Sequence, residues 1–265
     1  TLWAFLSQVL FKDEQRSCAA AVGRVVVLFV ALGKELSDNT GASCRARAKL
    51  PETVLRRLAY DVVRGSEQSI PAAWRWKGRS VKLVDGTTVS MPDTAANQAE
   101  YPQHTAQQEG VGFPLARMVL LLSLATAMVS GMALGPYAGK ETGETALLRE
   151  LFAQLAAGDI LLGDRYYCSC FLLALLRELG VDVVTRQHQL RTTDFRQGAR
   201  LGKGDHLVTW TRPAKPDWMD QATYDRMPES LRVRELEVHV PQPGFRTQVF
   251  VVVTTLTDAQ TYTVE

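Results

Sequence analysis

Val81-Lys82-Leu83-Val84-Asp85-Gly86-Thr87-Thr88-Val89-Ser90-Met91 is dominated by Val, Leu and Thr, residues that favour a pleated backbone. It reads as a buried strand with one carboxylate, Asp85, in its middle. An ionised Asp in a central strand is costly unless a cation, a metal ion or backbone N–H donors compensate it. A second stretch repeats the design: Asp159-Ile160-Leu161-Leu162-Gly163-Asp164-Arg165-Tyr166-Tyr167 is a short apolar strand with Asp164 at its C-terminal end. Placed side by side, the two strands would turn both carboxylates towards one point. Two acids converging on a hard cation are the minimum equipment for magnesium-dependent phosphoryl chemistry.

Outward from these strands, the apolar pattern alternates between period two and period three to four. A polar loop is expected over Pro92 to Gly112, and a hairpin of two strands over Leu115 to Tyr137, turning near Ser130-Gly131. A loop from Gly139 to Glu144 leads to a helix over Thr145 to Ala157, with Leu147, Leu148, Leu151, Phe152 and Leu155 on one side. After the Asp164 strand, Cys168 to Leu179 forms an amphipathic helix stopped by Gly180, and Val181 to Thr185 is a fifth strand. This order predicts an α/β fold: a mixed five-stranded sheet with helices on both faces. Residues 188–245 change character, with short strands such as His206 to Thr211 and Val233 to Val240 between polar, Gly- and Pro-containing stretches, and read as a β-rich insertion. Arg246 to Leu256 is an apolar return strand, and Thr257-Asp258 is a helix N-cap signal shortly before Glu265.

The first part of the chain is helical and basic. Leu2, Phe5, Leu6, Val9 and Leu10 follow a helical repeat, and Val25 to Leu32 is an apolar run suited to a helix interior. Ser37 to Gly41 breaks the pattern and offers N-caps. Arg45, Arg47 and Lys49 follow, and Arg45, Lys49 and Arg56 can share one side of a helical path interrupted by Pro51. Such a face suits a phosphate backbone, or is plain solvated charge. Residues 1–79 hold 13 Lys/Arg against 7 Asp/Glu, whereas residues 80–265 hold 17 against 21. An anion-binding module joined to a carboxylate-bearing one would have this asymmetry. Trp74 and Trp76, among Arg75, Lys77 and Arg79, either stack on bases or form a packing seam.

Other chemistries find little support. Cys18, Cys44, Cys168 and Cys170 make neither a disulfide framework nor a zinc pattern, and read as buried free thiols. His104, His188, His206 and His239 are dispersed and read as structural or surface residues. Met118 to Gly135 is uncharged, yet its Ser, Thr and Gly content favours paired strands over a membrane span. No Gly-rich phosphate loop, Ser nucleophile elbow or Cys/His pair is present.

The order of elements and the placement of Asp85 and Asp164 resemble the RNase H-like fold of the DDE transposases, closest to the bacterial insertion-sequence family known as type four. Its members look like this chain at Val84-Asp85-Gly86-Thr87 and at Gly163-Asp164-Arg165-Tyr166-Tyr167. They are similar again over Asn39 to Arg47 and over Thr254 to Asp258. The resemblance implies an enzyme in which two acids and a glutamate hold two divalent ions, Mg2+ or Mn2+, for in-line displacement at phosphorus. Asp85 and Asp164 match the first two acids. The third, on a helix bearing Tyr, Arg, Glu and Lys, is expected beyond Glu265; Glu229, Glu235 and Glu237 do not match it. The chain is therefore expected to be inactive alone.

The same resemblance divides the chain into a helical DNA-binding module (1–78), an RNase H-like catalytic core (79–187), the insertion (188–245), and a return strand with the start of a truncated helix (246–265). It implies double-stranded DNA, both element ends and target, as the partner. It also implies a homodimer in the active complex and a bacterial cytoplasmic, nucleoid-associated location. Expected DNA contacts are Arg45, Arg47, Lys49, Arg165, Arg186 and Arg191; Arg165 either balances the two carboxylates or reaches a phosphate, and Arg186 and Arg191 belong to a basic run, continued by Arg196, Arg200 and Lys203, that either holds DNA or is a solvated loop. Trp210 or Trp218 could hold a flipped base, as an aromatic residue does in some relatives. Two other readings fit the same residues: a non-catalytic DNA-binding remnant, and an RNase H-like nuclease that cuts without joining.

Overall fold

The computed structural model describes residues 1–108, 110–240 and 248–263. The chain divides into two units, Thr1–Val62 and Val63–Glu265.

In the first unit, α1 (Leu2–Leu10), α2 (Cys18–Ala31) and α3 (Thr40–Ala48) pack on one another, with a 3-10 turn at Asp13–Arg16. The cap read from the Ser37 to Gly41 break is present, Asn39 accepting from Gly41 N at 2.8 Å, and Ser17 caps α2 by accepting from Ala20 N. Pro51 separates α3 from α4 (Glu52–Gln68), which runs on into the second unit. The buried side chains of α1 and α2 are small, Ala4, Ser7, Ala21 and Val22. The apolar run expected in a helix interior instead leaves Val27, Leu28, Val30 and Leu32 exposed on α2 and just past its end. A bundle with so few large buried side chains cannot bury every apolar face.

The second unit is built on one mixed sheet. Its strands are β1 (Val81–Ser90), β2 (Leu115–Ser123), β3 (Val129–Pro136), β4 (Ile160–Gly163), β5 (Asp182–Arg186), β6 (Ala199–Gly202), β7 (Asp205–Thr211), β8 (Ser230–Val240) and β9 (Gln248–Thr254). They lie in the order β3-β2-β1-β4-β5-β9-β8-β7-β6. The five strands anticipated from sequence are thus contiguous, and the sheet is larger than expected. The strands of the 188–245 stretch do not leave it: β9 pairs antiparallel with both β5 and β8, which carries the ladder outward. Of the expected return strand, Arg246 and Thr247 lie outside the described residues.

Among the described residues, α5 (Ala95–Glu100), α6 (Glu144–Glu150), α7 (Cys170–Glu178) and α8 (Gln221–Arg226) accompany the sheet. Leu147, Leu148 and Leu151 at α6 and Leu172, Leu173 and Leu176 on α7 join Val84, Val119, Leu121, Leu161 and Val183 in the main core. The stop at Gly180 is as read. It takes φ +73, Gly180 N donates to Arg177 O, and Val181 N donates to Leu176 O.

Two local expectations were off. The hairpin turns at 124–128, where Ala127 takes φ 55, and Ser130 and Gly131 lie inside β3. Gly131 is needed for closeness: an added Cβ would press on Leu121 and Gln154 at 3.2 and 3.3 Å. The helix expected to run to Ala157 ends at Glu150 and continues as a 3-10 turn, Phe152–Gln154. The Gln154 carbonyl there accepts from the buried Lys82 Nζ, which also pairs with Asp159 at 3.3 Å. Arg234, buried on β8, grips Asp205 with two hydrogen bonds at 2.8 and 2.6 Å. After β9, Asp258 accepts from Gln260 N and Thr261 N, and Tyr262 N returns to Asp258 O, one turn of the start expected there. Met118 to Gly135 is the β2–β3 hairpin, and no helix among the described residues is long and apolar enough to cross a membrane.

Candidate active site

β1 and β4 run parallel, with Val81, Lys82 and Leu83 opposite Ile160, Leu161 and Leu162. Side chains alternate between faces along each strand. Lys82 and Val84 point to the α6 side, where Val84 joins the core with Leu161. Val81, Ile160 and Leu162 point the other way, where Leu256 and Tyr262 pack on them. Leu83 and Asp85 share that second face and are exposed there. Continuing the register two residues past Leu83 and Leu162 sets Asp85 beside Asp164, on strands about 5 Å apart.

Asp164 follows the last residue of β4 in extended conformation and caps the short 3-10 turn Arg165–Tyr167, its Oδ1 accepting from Tyr166 N at 2.8 Å. Asp85 Oδ1 accepts from Gly86 N at 2.9 Å. Both carboxylates are exposed, and neither forms an ion pair among the described residues. The expected burial of Asp85 is therefore corrected. Its strand is central, but its face is open from Leu83 onward, so water solvates the charge. Arg165, anticipated as a balancing charge, turns its guanidinium to Gln189 Oε1 at 3.2 Å.

Behind the acids lies a pair that sequence reasoning missed. Gly86 and Gly163 face the α6 side. A Cβ on Gly86 would collide with the Glu144 side chain, and one on Gly163 would sit 2.9 Å from the Tyr167 ring and 3.1 Å from Val84. Tyr167, almost wholly buried, donates its hydroxyl to Glu144 Oε2 at 3.3 Å. Burial first, and then the Glu144 carboxylate, push the phenol well above its ordinary value; Asp164 and Asp85 add to the effect, so both lie within electrostatic reach. The signal available in the sequence was a glycine next to each aspartate, on the inner side of each strand.

Paired carboxylates with four oxygens and no competing cation suit a hard divalent ion. Asp85 and Asp164 are the residues that could hold one. Among the described residues no group of three His, Cys, Asp or Glu side chains is assembled for a metal.

Residues 76–265 match the family described as "Transposase DDE domain". The chain belongs to that family. It is also 27% identical over 145 residues to "Putative transposase InsZ" of Escherichia coli (strain K12), a match covering 54% of this chain and 46% of the relative.

Within this transposase DDE domain, and separately in the first unit, the basic residues divide by their surroundings. Arg186, exposed on β5, lies over the Phe250 ring at 5.1 Å, and Arg191 lies over Trp210 at 3.7 Å. Arg196 pairs with Asp194 at 2.8 Å. In the first unit Arg45 and Lys49 are exposed, while Arg47 reaches Gln8 Oε1 at 3.1 Å. Arg56, expected on the same cationic side, pairs with Glu52 at 2.5 Å.

Of the tryptophans considered for base contacts, Trp76, Trp210 and Trp218 have protein partners. Trp210 is buried and donates to Glu235 Oε1 at 2.9 Å, so it cannot receive a base as it stands. Trp218 packs edge-on to Phe171 and under Arg149. Trp76 packs on Tyr262, and Trp74 is 63% exposed. His206 is a buried structural residue, with Nδ1 at 2.7 Å from Gln197 O and Nε2 at 3.2 Å from Glu235 Oε2.

Proposed function

We propose that this transposase DDE domain cleaves DNA strands at insertion-sequence ends and transfers them to a target, with Asp85 and Asp164 as two of three metal-holding acids. The observation that carries the reading is the β1–β4 register, which leads both carboxylates to one exposed face of the sheet. Asp85 is held by its strand, and Asp164 by the turn it caps. Bound there, Mg2+ or Mn2+ supplies the Lewis acidity that activates the attacking hydroxyl or water and stabilises the leaving oxygen. The exposed setting leaves room for a DNA backbone. Glu144 and Tyr167 support the two strands from behind.

Residues 1–78 serve as the helical DNA-binding module, 79–187 as the catalytic core, 188–245 as the insertion, and 246–265 as the return strand and the start of a further helix. Double-stranded DNA is the partner. Arg45 and Lys49 meet phosphate directly, and Arg47, Arg165, Arg186 and Arg191, already oriented by Gln8, Gln189, Phe250 and Trp210, add contacts. The active complex is a dimer on paired ends, in the bacterial cytoplasm at the nucleoid. Among the described residues no third carboxylate is assembled with Asp85 and Asp164.

The test incubates the protein with DNA bearing the element's ends, in Mg2+. The unaltered protein nicks and joins strands, and Asp85→Asn abolishes both while DNA binding persists. Cleavage by the Asp85→Asn variant overturns the site. Cutting without joining marks a nuclease instead.

A further inference from the structure

Two of the four cysteines are placed quite differently from the other two. Cys168 and Cys170 are buried, and burial pushes both thiols up. A thiol so held is a poor nucleophile. Cys18 and Cys44 are half-buried in the first unit, and their sulfurs stand 3.6 Å apart. Cys18 opens α2 directly after its Ser17 cap, where the helix N-terminus favours negative charge. Gln8 Nε2 donates to Cys18 Sγ at 3.4 Å, and Arg47 Nη1 lies 3.9 Å from it. Either sulfur of the Cys18–Cys44 pair can donate to the other. These contacts, that of Cys44 first, pull the Cys18 thiol below its ordinary value, and the same hydrogen bond raises Cys44.

We propose that Cys18 and Cys44 form a reactive dithiol that closes reversibly to a disulfide, with Cys18 as the attacking sulfur and a small-molecule disulfide as oxidant. The Cys18 thiolate attacks one sulfur of the oxidant, forming a mixed disulfide and releasing one thiolate. Cys44 gives up its proton and attacks Cys18 Sγ, which releases the second thiol and leaves the Cys18–Cys44 bond. The oxidant gains the two electrons and the two protons that the pair loses. The bond ties the first turn of α2 to α3, the helix carrying Arg45 and Arg47, and removes the negative sulfur that Arg47 faces. It goes beyond the strand-transfer reading and does not depend on it.

The test uses the whole chain in oxidised and reduced glutathione, with free thiols then alkylated and peptides identified by mass spectrometry. A Cys18–Cys44 linked peptide is expected in native buffer, with Cys168 and Cys170 still reduced and dithiothreitol reversing the link. Cys44→Ser should stop at the glutathione adduct on Cys18, and Cys18→Ser should react at least about tenfold more slowly. In urea the preference for this pairing should vanish, because proximity comes from the fold. The proposal is overturned if the native chain gives no such peptide. It is equally overturned if native and urea-treated chains link alike, or if the two serine variants react at the same rate.

Discussion

Leu83 on β1 and Leu162 on β4 are direct partners in parallel register, and each precedes an aspartate by two residues on the same face. The pairing of Asp85 with Asp164 across 79 residues of chain (164 − 85) is thus set by an ordinary apolar ladder rather than by any contact between the acids. The glycines on the inner side of each strand belong to the same device, since each vacates space that Glu144 or Tyr167 fills.

Gly86→Ala should therefore destabilise the second unit by about 1–3 kcal/mol through overpacking against Glu144. Glu144→Ala in the same chain should recover part of that loss, giving a coupling of roughly 0.5 kcal/mol or more in a double-mutant cycle. Urea unfolding of the four proteins measures it. Simple additivity would mean that the two side chains do not compete for one space.

Tyr167 makes the stability of the unit sensitive to alkali. Its folded value is raised above the ordinary 10.0 of the unfolded chain, so the folded protein keeps the proton longer. The stability this confers is complete below pH 10 and is lost as the pH climbs above it. Tyr167→Phe should cost about 1–2 kcal/mol at neutral pH, through the lost hydrogen bond to Glu144. Its unfolding free energy should then fall less steeply above pH 10 than that of the unaltered chain. Parallel slopes in chemical denaturation at rising pH would contradict this.

Arg234 is nearly inaccessible and bound to Asp205 through both oxygens. Arg234→Met leaves that carboxylate buried and unpaired, and should cost about 3–5 kcal/mol. Adding Asp205→Leu should restore much of the loss. Thermal unfolding followed by circular dichroism reads both, and a single variant as stable as the parent would show that Asp205 finds water or another partner.

Arg191 is held on the buried Trp210 ring. Arg191→Ala should cost roughly 0.5–2 kcal/mol of stability, whereas Arg45→Ala, from an exposed helix position, should leave stability nearly unchanged and flatten the salt dependence of DNA binding by about one unit of log slope. A filter-binding titration across salt concentrations separates the two. An unchanged slope for Arg45→Ala would remove that residue from the DNA contacts.

How much of this was legible beforehand depended on how local the cause was. The Asp85 strand, the Gly180 stop and the Asn39 cap were readable because each follows from residues within one turn or one strand. The exposure of Asp85 was not: composition marks a strand as apolar, while the other elements of the fold decide which stretch of it they cover. The turn at 124–128 was missed because Ser130-Gly131 looks like a turn, and only the packing of Leu121 and Gln154 shows why a glycine sits there. The growth of the sheet to nine strands depends on β9 pairing on both edges, a long-range choice that no window of sequence displays. Glu144 escaped notice for the same reason. Its partner Tyr167 lies 23 residues away, across the core.

The central claim is that Asp85 and Asp164 serve one ion, and anomalous diffraction from crystals of this chain soaked in Mn2+ tests it most directly. The account predicts a manganese peak within bonding distance, about 2.1–2.3 Å, of an oxygen from each aspartate, and its loss in Asp164→Asn. Manganese bound to only one of them, or carboxylates turned to opposite faces of the sheet, would contradict it.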